Sequence, residues 1–329
     1  MDDQTLPIIH SILDAPALGR VIQKHWGLSE PFHCELLTRG MNDVYLVRSG
    51  QTRYAARCWR SEGFADGGVD YELKLLDFLD RDGLPVVAPV LAKDGSWSTE
   101  VMAPEGARPV ALFRWVNGGP LHDHPNPVPY ARYLGELFAR MHLATARFHP
   151  TPTRFADYAG KIRRGWPNVQ RLCRHRPDDL RFYEKAITAV ADGLQRLDRS
   201  ALPWAHTHGD IHAHNALIDG QGRMIIMDFD SGGEDFMAQE LVSLVWAGRK
   251  NGFPLPAIQA FLDGYDSVRP RTLEERRLEP LFMAGKEMRY FCGFAGAVNA
   301  IGHKPFRYPG LDWFAASVRK HIAAAEGLL

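Results

Sequence analysis

Between His206 and Asp230 the chain reads HTHGDIHAHNALIDGQGRMIIMDFD, with four histidines, one asparagine and four aspartates in twenty-five residues. Two chemistries compete for these side chains. In the first, His206, His208, His212 and His214 form H-x-H-x3-H-x-H. Alternating histidines on a strand face one way and can chelate zinc, with Asp210 as bridging ligand or general base. That outcome is a zinc-dependent hydrolase. It asks for a sharply folded loop at Gly209, because the two pairs lie so close together, and for a remote partner such as His142, His149 or His303. The second chemistry uses Asp210, Asn215 and Asp228. Phosphoryl transfer from ATP needs a carboxylate to take the proton of the attacking hydroxyl, and oxygen ligands for the magnesium that bridges the phosphates. Magnesium prefers hard oxygen donors, which suits Asn and Asp and not imidazole. The spacing D-x-x-x-x-N puts Asp210 and Asn215 at the ends of one short loop. On this reading the histidines brace the loop, His208 by bonding backbone.

Asp228 reaches Asn215 only if the chain between them turns back. NALIDGQGRMIIMDF reads as strand, Asp-Gly-Gln-Gly turn, strand, and so returns Asp228 beside Asn215. Around that hairpin the texture is helical. YARYLGELFARMHLATA, DDLRFYEKAITAVADGLQRL, DFMAQELVSLVWAGRK, LEERRLEPLFMAGKEMRYFCGF and LDWFAASVRKHIAAAEGLL carry the apolar spacing of buried helices. The first third of the chain differs. VYLV and RYAARCW, joined by RSGQT, read as a hairpin, with the turn RGMND before it. VDYELKLLDFLDRDG has Leu73, Leu76 and Leu79 on one stripe and Gly83 past its end, the signature of a helix. PVVAPVL and PVALFRWV read as further short strands. VNGGPLHDHPNPVP is rich in Gly and Pro and marks a boundary, with a small β-rich lobe at 1–116 and a helical lobe at 117–329.

Composition narrows the function classes. Apolar residues make up 45% and charged residues 24%, the balance of an ordinary soluble globular protein. Net charge is +0 and no basic block occurs, so no nucleic-acid partner is advertised. MDDQTLPIIH lacks an apolar signal core, and no run approaches the ~20 residues of a membrane span. Cys34, Cys58, Cys173 and Cys292 lack CxxC spacing and read as reduced core thiols of a cytoplasmic protein. Nothing in the chain reports oligomeric state.

HGDIHAHN followed by MDFD resembles the aminoglycoside phosphotransferase and choline kinase family, whose loop is H-G-D-x-x-x-x-N and whose metal motif is D-x-D or D-x-E. Here these are His208, Gly209, Asp210, Asn215, Asp228 and Asp230. The resemblance covers nearly the whole chain in order. It implies an α+β, protein-kinase-like two-lobed fold, with a small antiparallel sheet and one helix before a larger helical lobe. It also implies ATP and Mg2+ as cofactors, Asp210 as catalytic base, and Asn215 and Asp228 as magnesium ligands. RGMNDVYLV resembles the phosphate-covering turn, with Gly40, Met41 and Asn42 at its tip. RYAARCW resembles the strand of the phosphate-binding lysine, where this chain has Arg57; Arg can clamp phosphate bidentately. Glu72 resembles the glutamate that pairs with that basic residue. ALFRWVNGG resembles the hinge, where backbone near Phe113 and Trp115 would meet adenine and Gly118 and Gly119 would turn the chain away. Glu240 stands where the family usually has Asp, and would brace the catalytic loop.

The family's acceptors include aminoglycosides, macrolides, choline, homoserine, methylthioribose and amino sugars; a few members phosphorylate protein serine or threonine. The expectation is a kinase acting on a small-molecule hydroxyl, with a protein kinase of the same fold as the nearest rival. A nucleotide-binding protein without turnover would not need Asp210, Asn215 and Asp228 together. GEDF offers Glu234 and Asp235 either to a cationic acceptor or as a solvent-exposed acidic turn. The KEMRYFCGF helix contributes Arg289, Tyr290 and Phe291, and these aromatics read as core rather than pocket.

Overall fold

Alternating apolar and charged residues build the sheet of the first unit. In the computed structural model, which describes residues 6–61, 67–307 and 310–329, this sheet has five antiparallel strands. They are β1 (Phe32–Arg39), β2 (Asp43–Ser49), β3 (Thr52–Cys58), β4 (Ser98–Ala103) and β5 (Gly106–Arg114), in the order β1-β2-β3-β5-β4. Ser49 pairs with Thr52 across the tight turn at Gly50, whose φ of +58° suits glycine. Tyr45, Val47, Ala56, Cys58, Val110 and Leu112 form one buried face with Leu18, Ile22 and Trp26 of α1 (Ala15–Trp26). Side chains alternate along a strand, so Arg57 points to the opposite face, where α2 (Gly68–Arg81) presents Glu72.

Two expectations for this unit need correction. Among the described residues it holds two helices rather than one, because α1 precedes the sheet. Its signals were local: Asp14 caps Ala17 N–H at 2.9 Å, Pro16 lies in the first turn, and Gly27 closes the helix at φ +70°. PVVAPVL is not a strand. Pro85 and Pro89 lack the N–H that a ladder needs, so the segment makes isolated bridges, with Pro89 opposite Phe113, Val90 donating to the Leu112 carbonyl at 2.7 Å and Arg114 to that of Ala88 at 3.2 Å.

The chain divides at Gly118/Gly119 into two compact units. The second carries β6 (Gly118–Pro120), β7 (Trp204–Thr207), β8 (Ala216–Asp219), β9 (Met224–Ile226) and β10 (Gly233–Phe236). Its helices are α3 (Pro127–Ala144), α4 (Tyr158–Leu172), α5 (Pro177–Gln195), α6 (Met237–Asn251), α7 (Leu255–Val268), α8 (Leu273–Arg277), α9 (Glu279–Ile301), α10 (Lys304–Arg307) and α11 (Leu311–Ala324). β7 pairs with β10, and β8 pairs with β9 across the Asp219 turn, where the Asp219 carboxylate accepts the N–H groups of Gln221 and Arg223, both at 2.9 Å. GEDF is therefore a strand and not an acidic turn.

The helix expected over 273–294 breaks at Leu278. Thr272 and Glu275 form a capping box that starts α8, and Pro280 lies in the first turn of α9. α4 and α7 had no counterpart in the sequence reading, since Gly165, Pro167 and Gly264 look like breakers. Gly264 instead lets α7 approach α3: a Cβ there would lie 2.0 Å from the Arg132 carbonyl oxygen. Gly165 does the same for α4 on α9, where a Cβ would meet Cys292 Cβ at 2.4 Å. All four cysteines are buried free thiols. No helix among the described residues is long and apolar enough to cross a membrane.

Candidate active site

The loop between β7 and β8 carries His208–Asn215, and its backbone is tied down at both ends. Glu240, in the first turn of α6, accepts the N–H of His208 at 3.0 Å and of Gly209 at 2.7 Å. It also bonds His142 Nε2 at 2.9 Å, and His142 Nδ1 bonds the Tyr265 hydroxyl at 2.8 Å. Burial opposes charge on Glu240, but His142 and these N–H groups outweigh it and hold its pKa below the usual carboxylate value. Gly209 has φ +82°, and a Cβ would fall 2.2 Å from the Ser231 carbonyl oxygen, so no other residue fits. His208 Nε2 contacts the Met227 carbonyl at 2.8 Å, and its Nδ1 accepts Asp210 N–H at 3.3 Å. A donor to a carbonyl and an acceptor of N–H require the Nε2–H tautomer.

The return hairpin is locked to this loop. Met227 donates its N–H to the Asn215 carbonyl at 2.9 Å, and Asn215 Nδ2 donates to the Asp210 carbonyl at 3.1 Å. Asp228 follows directly, in the left-handed region at φ +71°. Asp tolerates that region better than most residues, at a cost of about 1–2 kcal/mol. Two short hydrogen bonds thus link the backbone at Asp210, Asn215 and Met227, next to Asp228. The Asp230 carbonyl accepts from Arg154 at 2.8 Å. Glu234 and Asp235 lie on β10, opposite His206 and Ala205. Desolvation pushes the Asp235 pKa up to about 7.

The four histidines of the sequence motif do not form one cluster, although the His212 and His214 rings meet edge-on at 5.7 Å. His206 packs edge-on against Phe148, His208 is spent on backbone, His212 lies 4.0 Å from Asp210, and His214 stacks on His122 at 4.1 Å. Among the described residues no cluster of three or more His, Cys, Asp or Glu side chains could hold a metal ion. The zinc alternative falls on that divergence. Burial pushes the His212 pKa down to about 4 despite the neighbouring Asp210.

The sequence reading missed Lys286. It extends from α9 and bonds Asp210 Oδ1 at 2.6 Å. Burial favours the neutral acid at Asp210, but the Lys286 ammonium, with His212 and Arg289, holds its pKa well below the carboxylate range. One helical turn on, Arg289 NH1 donates to the Gly209 carbonyl at 3.1 Å, and its guanidinium lies 4.7 Å from the Tyr158 ring centre. Arg289 is thus a neighbour of the loop. A lysine directly after the apolar run LFMAG was the available signal.

The first unit assembles its own set. Arg57 NH1 bonds Glu72 Oε1 at 3.1 Å, with Glu72 almost wholly buried. With the Asn42 amide oriented to satisfy both its ends, its oxygen accepts from Arg57 NH2 at 2.6 Å. Arg60 holds the turn by donating to the Gly40 and Met41 carbonyls at 2.7 and 2.6 Å. Phe113 is buried within β5, opposite Ala55, while Trp115 lies past the strand end and donates to Asn117 at 3.1 Å.

Comparison with known proteins gives this geometry a context. A family model described as the phosphotransferase enzyme family matches residues 34–278. An uncharacterised protein of Synechocystis is 30% identical over 281 residues, covering 84% of this chain and 76% of that one. A homoserine kinase of Methylobacillus glycogenes is 28% identical over 316 residues, covering 93% of each. Among solved structures, an amicoumacin kinase in complex with AMP-PNP and calcium matches with TM-score 0.73 at 17% identity, over 96% of this chain and 94% of that one. That likeness shows the α+β, kinase-like fold.

Proposed function

The chain belongs to the phosphotransferase enzyme family, and we propose that it transfers the γ-phosphoryl group of Mg-ATP to a hydroxyl of a small molecule. The observation that carries this reading is the tie of Asp210, Asn215 and Asp228 through the Asn215–Asp210 and Met227–Asn215 hydrogen bonds. Asn215 and Asp228 fit magnesium: they are two adjacent hard-oxygen donors, and this ion commonly takes few protein ligands and completes its shell with water and phosphate oxygens. When bound, it would neutralise charge on the β- and γ-phosphates.

The chain's own residues do the rest. Asp210 receives the acceptor hydroxyl and aims its oxygen at the γ-phosphorus. The new O–P bond forms as the bond from γ-phosphorus to the β-bridging oxygen breaks, ADP leaves, and the hydroxyl proton passes to Asp210. Lys286 keeps Asp210 ionised and therefore a weak base, so the proton moves late, once the oxygen has become acidic by bonding phosphorus. Arg57, steadied by Glu72 and Asn42, would hold the α- and β-phosphates bidentately.

Calorimetric titration of ATP with and without magnesium tests the assignment. Asp210→Asn should keep Mg-ATP binding and lose turnover by about 10²–10⁴-fold. Asp228→Ala should lose the magnesium dependence of binding. Unchanged turnover in the first variant, or unchanged magnesium dependence in the second, rejects the corresponding role.

A further inference from the structure

We infer that the acceptor is an alcohol bearing an acid group, and that Lys286 and Arg289 of α9 hold that group beside Asp210. This rests on the reading of Asp210 as the residue that receives the acceptor hydroxyl. Lys286 is only 2% exposed, and among the described residues its ammonium has one hydrogen-bond partner, Asp210 Oδ1 at 2.6 Å. An ammonium carries three donors, so that bond and one to an acceptor oxygen are compatible. A hydroxyl within hydrogen-bonding reach of Asp210 lies within about 6 Å of Lys286 Nζ. Arg289 is fixed on the same face of α9 by the Tyr158 ring and the Gly209 carbonyl. Its planar fork matches a carboxylate or phosphate. Lys250, at the end of α6, adds a third cation 5.1 Å from the Tyr290 ring centre.

Asp210 pairs with Lys286, and Asp235 faces Arg289 but is held toward its neutral form by burial, so Lys286, Arg289 and Lys250 together outnumber the charges opposite them. Glu287 accepts from Trp246 at 2.5 Å and Ser317 at 2.8 Å, and lies 3.1 Å from His321. Glu240 is committed to the loop N–H groups. An acceptor whose nearest charge is an ammonium would face Lys286 and Lys250 at short range in a poorly solvated site, where like charges repel strongly. An acid group there replaces lost water with charge-assisted hydrogen bonds.

Matched alcohols that differ in one acid group decide the matter: homoserine against aminopropanol, glycerate against glycerol, and gluconate against sorbitol. Each is assayed with Mg-ATP for ADP release and titrated calorimetrically into the Mg-ADP complex. At least one acid-bearing member should exceed its partner by on the order of 100-fold in kcat/KM or affinity. Arg289→Met should abolish that preference mainly through KM for the acceptor, leaving KM for ATP unchanged; Lys286→Met should abolish it too but lower kcat as well, because Lys286 also holds Asp210 ionised. The wild-type comparison stands alone if a variant does not fold. Equal or better use of the acid-free partners, or no acid-bearing compound bound, overturns the inference. Turnover that survives Asp210→Asn would instead sink the underlying reading.

Discussion

Asp235 is a carboxyl group that the fold stabilises in its neutral form. Burial raises its pKa from 3.8 to about 7, with the Glu240 charge adding to the effect and the Phe236 N–H and Arg289 opposing it. The folded state therefore holds a proton that the unfolded chain gives up between these values. Stability falls as pH rises through that window and stays lower above it. Asp235→Asn cannot ionise, so its stability relative to wild type should improve between about pH 4 and pH 8 in urea titrations. A pH-independent difference would show that Asp235 titrates normally. Glu240 is the opposite case, a buried charge held ionised by His142 and two backbone N–H groups. Glu240→Gln keeps the volume but turns an amide toward a donor. A loss of about 3 kcal/mol follows from breaking a buried, hydrogen-bonded charge set. Turnover should fall with it, because the His208–Asp210 backbone loses its anchor; wild-type denaturation and kinetics would refute the bracing role.

At the scale of elements, the site depends on helices that approach closely through glycine. Gly135 and Gly264 face each other's backbone across α3 and α7, with a Cβ on Gly135 only 1.9 Å from the Phe261 carbonyl oxygen. α3 also carries His142 and α7 carries Tyr265, so the α3–α7 separation sets the reach of the His142–Tyr265 bond that holds the imidazole facing Glu240. Gly264→Ala should raise helix propensity yet destabilise the protein by about 2–3 kcal/mol through overpacking. Equal or greater thermal stability in this variant would contradict the packing account. The same close approach accounts for glycine at 264, a residue whose helix propensity alone argues against α7. The β8–β9 hairpin was readable because its turn chemistry is local: Asp219 bonds the N–H groups of its own turn.

For the whole molecule, the proposed function predicts linkage between ligand and stability. Mg-ATP at a hundredfold excess over its Kd should stabilise the folded chain by about 2.7 kcal/mol, seen as a raised Tm. ATP with a chelator should give little of that shift, and equal shifts in both conditions would count against magnesium-dependent binding. The sequence alone determined the chemistry on offer. Asp210, Asn215 and Asp228 occur at spacings that one loop and one hairpin can bring together, because short-range backbone geometry follows from residue order. It also determined the α+β class, since apolar periodicity is local. Tertiary structure alone decided how the loop is used. Lys286 lies 76 residues from Asp210 in the chain and meets it only because α9 packs behind the loop. The four closely spaced histidines do not form one set, since His206 goes to Phe148 and His208 to the Met227 carbonyl while His212 and His214 stay neighbours, and no spacing rule encodes which neighbour packing will supply.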